Sequence, residues 1–132
     1  MISGVAQIAL VVHDLKQAVA FYRDALGMTL LFEVPSAAFF DGGGVRVMLA
    51  LPDAAHPELD HAPSILYFRV GDIRGACETL RARGVRLEGE AHVVGQFQNR
   101  DVWLAHFYDM ENNLHALTSE VARGPSAASD IH

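Results

Sequence analysis

One nine-residue pattern occurs twice in this chain, and it limits the fold more than any other feature. Residues 7 to 15 read Gln-Ile-Ala-Leu-Val-Val-His-Asp-Leu, and residues 65 to 73 read Ile-Leu-Tyr-Phe-Arg-Val-Gly-Asp-Ile. Aligning Val12 on Val70 places Asp14 on Asp72, Leu15 on Ile73 and Ala18 on Ala76. Each copy then runs through helix-like periodicity to a glycine, Gly27 or Gly84. A chain of 132 residues that repeats itself at this interval is one module used twice, and its length and 51% hydrophobic content suit a single domain with a real core.

In the first copy, residues 5 to 12 are apolar and β-branched, as a strand covered on both faces requires. Asp14 is placed to cap a helix, with Gln17 completing part of a capping box. Leu15, Ala18, Val19, Tyr22, Ala25 and Leu26 form its apolar stripe, and Gly27 fits the left-handed position that ends it. Strands are expected over 28 to 34, 37 to 41 and 45 to 51, the last reached through the turn Asp41-Gly42-Gly43-Gly44. The second copy predicts strands over 64 to 70, 85 to 94, 101 to 108 and 113 to 119, with a helix capped by Asp72 and ended by Gly84. The fold class is therefore α+β, two tandem βαβββ modules over 4 to 52 and 64 to 120, within one domain spanning 1 to 120. A proline-rich linker over 53 to 63 joins them, and 121 to 132, with no apolar face, reads as a mobile tail.

Charge and cysteine content remove several functions. A net charge of −6 without a Lys/Arg-rich run argues against a general nucleic-acid or membrane-surface role. The single Cys77 excludes an intrachain disulfide and, lying on the helix stripe, reads as a small buried hydrophobe. With no signal-like amino terminus and no apolar run long enough to span a bilayer, the expected location is the cytoplasm.

The strand Gln7 to Leu15, followed by Ala20-Phe21-Tyr22 and Leu26-Gly27, resembles the vicinal oxygen chelate superfamily, which includes glyoxalase I, extradiol dioxygenases, fosfomycin-modifying enzymes and bleomycin-resistance proteins. Phe107 to Leu117 is similar to that family's "Phe-x-Asp-Pro-Asp-Gly-Asn-x-x-Glu-Leu". The resemblance covers roughly residues 4 to 119. It implies a curved mixed sheet around a cleft, formed within one chain or between two, and a homodimer. Strand alternation within that frame turns Ile8, Leu10 and Val12 toward the helix and Gln7 toward the cleft. Arg46, Met48 and Ala50 on the fourth strand, and Ile65, Tyr67 and Arg69 on the fifth, face the cleft as well.

The resemblance also implies where a metal would be held. Metal-dependent members use four cleft-facing His, Gln or Glu side chains, and those positions are Gln7, Met48, Ile65 and Ala116 in this chain. One neutral amide with three apolar partners cannot offset a divalent ion's lost hydration, so no metal and no cofactor is expected. A divalent ion is admissible only through a set outside the family's, such as Gln7, His92 and His106. The seven histidines show no His-x-His or His-x-x-x-His spacing, and each reads first as a surface or hydrogen-bonded core imidazole. The ligand-binding set is then Gln7, Phe39, Arg46, Met48, Ile65, Tyr67, Arg69, Trp103 and Ala116, an apolar pocket with a few polar fixtures. The expected partner is a small molecule, aromatic or anionic, sequestered without metal as in the bleomycin-resistance branch. The alternative is a lyase, isomerase or extradiol-type dioxygenase with rearranged ligands. No catalytic residue can be assigned.

Overall fold

A computed structural model describes residues 1 to 123. Eight strands and two α-helices follow one another as βαβββ and again as βαβββ, giving two four-stranded mixed sheets of the α+β class. By internal contacts the described chain divides into a unit of Met1–Ser64 with Met110–Asn113, and a second of Ile65–Asp109 with the described residues from Leu114.

In the first unit, β1 (Gln7–Val11), β2 (Leu30–Val34), β3 (Ala37–Asp41) and β4 (Arg46–Ala50) lie in the order β1-β4-β3-β2, with β1 parallel to β4 and the other pairs antiparallel. The parallel pair needs a crossover, which α1 (Leu15–Ala20) supplies. Asp14 caps it, its side chain accepting from Gln17 N at 3.0 Å. Past Ala20 the helix widens into a π turn over Phe21–Ala25, where Leu26 N donates to Phe21 O at 3.1 Å. Gly27, at φ +74°, ends it in the left-handed conformation expected for that position. Leu10, Val12, Val47, Leu49, Phe40 and Tyr22 are buried beneath this helix, so the period-2 pattern sets which face of the sheet is core.

The second unit repeats the plan: β5 (Tyr67–Arg69), α2 (Ile73–Ala82), β6 (Leu87–Phe97), β7 (Arg100–Tyr108) and β8 (Leu114–Ala122), in the order β5-β8-β7-β6. Asp72 caps α2 through Gly75 N at 3.2 Å, and Ile73, Cys77 and Leu80 are its buried residues. β5 is shorter than expected because the Leu66 amide is held by the His115 ring at 3.1 Å instead of by a strand neighbour. β6 runs three residues past its expected end at 94 and turns into β7 through Gln98 and Asn99, both at positive φ. Gly95, which looks like a strand breaker, sits instead beside a register shift between Val93 and Gly95. β8 continues to Ala122, so the expected tail begins later than 121, and its residues 124 to 132 lie outside the described residues. No helix among the described residues is long and apolar enough to cross a membrane.

Candidate functional site

On the face of the first sheet opposite α1, register aligns one residue from each strand. Ala9 pairs with Met48, Met48 with Phe39, and Phe39 with Phe32. The two phenyl rings stack with centroids 4.3 Å apart and planes 16° from parallel, and Phe32 is about half exposed. In the neighbouring row, Gln7 pairs with Arg46. Arg46 Nε donates to Gln7 Oε1 at 3.1 Å, and Gln7 Nε2 lies 3.7 Å from Met48 Sδ. Asp41, although opposite Arg46 in register, accepts from Gly43 N at 2.9 Å in its own turn.

Residues 53 to 63 do more than span a gap. A 3₁₀ turn at Pro57–Leu59 brings Leu59 and His61 over the same sheet face, where they enclose a cavity of about 220 Å³ with Ala9, Val11, Met48 and Ala50. At the other end of β1, His13 is gripped from two sides: Nδ1 lies 2.7 Å from Glu111 and Nε2 lies 2.9 Å from Asp60. The Glu111 hydrogen bond, and after it the Asp60 one, raises the His13 pKa above the ordinary imidazole value. His13 N also donates to Glu111 Oε2 at 2.7 Å, so this carboxylate organises the start of α1.

In the second unit, Tyr67 pairs with Ala116 and Ala116 with His106, while Arg69 pairs with Thr118. Tyr67, Arg69, Ala116 and His106 therefore share the face opposite α2. His106 faces Glu88 across β6, and the Tyr108 hydroxyl donates to that Glu88 at 2.6 Å, which pushes the phenol pKa up. Arg86 stacks on Tyr108 at 4.1 Å. Ile65 precedes β5 and is 42% exposed. His92 lies on the sheet face of Tyr67, but its Nδ1 is 3.0 Å from the Glu90 carbonyl.

Trp103 departs from expectation. It pairs with Ser119 and Val93, which gives it the parity of the buried Phe107 and turns it to the α2 side, under Arg74 at 5.1 Å. Its ring completes the helix-to-sheet layer, away from the face of Tyr67 and Arg69. Of the remaining sequence-derived residues, Gln7, Phe39, Arg46 and Met48 are brought together on one face of the first sheet, and Tyr67, Arg69 and Ala116 on one face of the second. Glu88, Arg86 and Tyr108 were not expected there. Only the register shifts in β6 bring Glu88 opposite His106, and no local pattern announces such shifts.

The four positions where metal-dependent members carry ligands hold a poor donor set. Gln7 Oε1 is their single oxygen donor, and it already accepts from a guanidinium. An incoming divalent cation would meet the positive charge of Arg46 and the thioether of Met48, so these residues do not fit the ion.

Comparisons with known proteins agree with this architecture. An uncharacterized Bacillus subtilis protein, YraH, is 29% identical over 120 residues, covering 82% of this chain and 91% of that protein. A glyoxalase/bleomycin resistance protein/dioxygenase from Nocardioides shares the fold with a TM-score of 0.70 at 24% identity, covering 94% of this chain and 87% of the other. A genomically encoded fosfomycin resistance protein, FosX, from Listeria monocytogenes superposes with a TM-score of 0.67 at 23% identity, over 90% and 94% of the two chains. The family model described as Glyoxalase/Bleomycin resistance protein/Dioxygenase superfamily matches residues 4 to 117, and the chain belongs to that superfamily.

Proposed function

We propose that this chain is a metal-independent small-molecule binding protein of the glyoxalase/bleomycin resistance type, taking an aromatic or anionic compound. The observation that carries the reading is the Arg46 to Gln7 hydrogen bond of 3.1 Å. It sets a fixed cation beside the first of the positions where metal-dependent relatives hold theirs. A guanidinium there can orient a carboxylate or phosphonate through paired N–H donors. Beside it, Met48 and the stacked Phe39 and Phe32 form a strip on which a planar ring can lie. Tyr67, Arg69 and Ala116 offer a similar mixture on the second sheet. The likeness to a fosfomycin resistance protein supports an antibiotic as one class of ligand for such a surface. The reading includes a homodimer and a cytoplasmic location.

The alternative, a lyase, isomerase or dioxygenase with rearranged ligands, has less support. It calls on His92 and His106, and among the described residues no three His, Cys, Asp or Glu side chains are grouped to hold an ion. A thermal-shift screen of aromatic acids on metal-stripped protein tests the proposal. A ligand at about a hundredfold its Kd adds roughly 2.7 kcal/mol. Arg46→Ala should weaken the shift for acids and leave it for neutral aromatics, and Phe39→Ala should weaken both. Hits that appear only after a divalent metal is restored would refute the metal-free reading.

A further inference from the structure

At the carboxyl end of β5 the second unit contains a half-open cavity of about 460 Å³, the size of a small-molecule site. Its polar lining comes from strands distant in sequence: Tyr67 and Arg69 of β5, Thr118 and Glu120 of β8, and Arg100 at the start of β7. Register explains the convergence. Arg69 is opposite Thr118, Glu120 is opposite Val102, and Arg100 lies two residues before Val102, so all project from one sheet face. Neither Arg69 nor Arg100 has an ion pair among the described residues, whereas Arg23, Arg81 and Arg123 each lie within 4 Å of a carboxylate. The Thr118 hydroxyl donates to the Trp103 carbonyl at 3.0 Å, so its proton is used and its oxygen can act only as an acceptor.

We infer that this cavity is a binding site for a small organic acid that presents an oxyanion to Arg69 and Arg100 and a hydroxyl or ammonium donor to Glu120. Two guanidinium groups supply paired donors for one carboxylate or phosphoryl group. Glu120, whose carboxylate oxygens accept hydrogen bonds, then favours acids that also carry a donor over those that do not. Two cations against one carboxylate suit a monoanion better than a dianion. The inference rests on the proposed reading of Tyr67 and Arg69 as ligand-binding residues; Arg100 and Glu120 belong to this cavity alone, so variants there test it apart from Arg46→Ala and Phe39→Ala.

Isothermal titration of the full chain with 3-hydroxybutyrate, butyrate and inorganic phosphate tests this, beside Arg69→Ala, Arg100→Ala, Glu120→Ala and the surface control Arg23→Ala. Each loss of a charge-assisted hydrogen bond should weaken 3-hydroxybutyrate by about tenfold or more. Arg69→Ala and Arg100→Ala should therefore weaken all three probes, Arg23→Ala none, and Glu120→Ala should remove the preference for 3-hydroxybutyrate over butyrate. Unchanged unfolding temperatures of the variants confirm that the loss is local. The inference is overturned if none of the probes binds the unsubstituted chain at roughly millimolar concentration. It is equally overturned if Arg23→Ala costs as much as Arg100→Ala, or if Glu120→Ala leaves the preference intact.

Discussion

Replacing His115 by phenylalanine removes the hydrogen bond on which the placement of β5 depends, together with the ring's contact to Asp109. His115 is fully buried; its Nδ1 accepts from Leu66 N at 3.1 Å, and its ring lies 5.9 Å, centroid to centroid, from both Phe68 and Phe107. Accepting at Nδ1 requires the proton on Nε2, which points toward Asp109 Oδ2 at 3.8 Å. Leu66 is thus tied twice to β8, by its N–H to this ring and by its carbonyl to Ala116 N at 2.9 Å. Phenylalanine preserves the ring's volume and aromatic neighbours but leaves the Leu66 N–H without its acceptor, at a cost of about 1–3 kcal/mol. For a chain of this length that lowers the unfolding temperature by roughly 3–5 °C per kcal/mol. Asparagine makes the complementary change, keeping an acceptor near the same point while opening a cavity where the ring was. Thermal and urea unfolding of His115→Phe, His115→Asn and the unsubstituted chain measure both terms. Retention of full stability by His115→Phe, within about 0.5 kcal/mol, would show that the ring nitrogen does not hold β5.

Two further outcomes follow from groups with displaced pKa values. His13, raised first by Glu111 and then by Asp60, contributes stability that is complete below its ordinary value of 6.5 and is lost as pH rises through the higher folded value. The gap in unfolding temperature between the chain and His13→Asn should therefore widen on acidification from about pH 8 to about pH 6, and a gap independent of pH would refute the pairing. Burial pushes the Cys77 thiol up against the opposing pull of Arg81, so a thiol reagent at neutral pH should leave the native chain unmodified and label it fully in urea. Rapid labelling of the folded chain would place Cys77 outside the core.

Much of the scaffold could be read from local chemistry. Asp14 and Asp72 cap their helices, Gly27 and Gly84 adopt positive φ where the helices end, and the alternation Ile8-Leu10-Val12 marks the covered face of β1. Those features depend on neighbours a few residues away, and a sequence displays such neighbours directly. The site is set by longer-range pairings. Arg46 contacts Gln7 because β1 and β4 run parallel in one register, which no turn between them dictates. The linker folds over Met48 without any periodicity to show it, and Arg100 joins Arg69 because β8 lies between β5 and β7 and pairs with both. Trp103 has the parity of Phe107, but the run Val102 to Tyr108 is apolar on both faces and does not reveal which one is core.

The central claim is that the surface around Gln7 works without a metal ion. The most direct measurement is the metal content of the purified chain, followed by calorimetric titration of the stripped chain with Mn, Fe(II), Ni and Zn salts beside Gln7→Ala. Substoichiometric content and no uptake that depends on Gln7 are expected, because Arg46 holds the Gln7 oxygen and Met48 offers only a thioether. Tight uptake of one ion per chain that Gln7→Ala abolishes would contradict it.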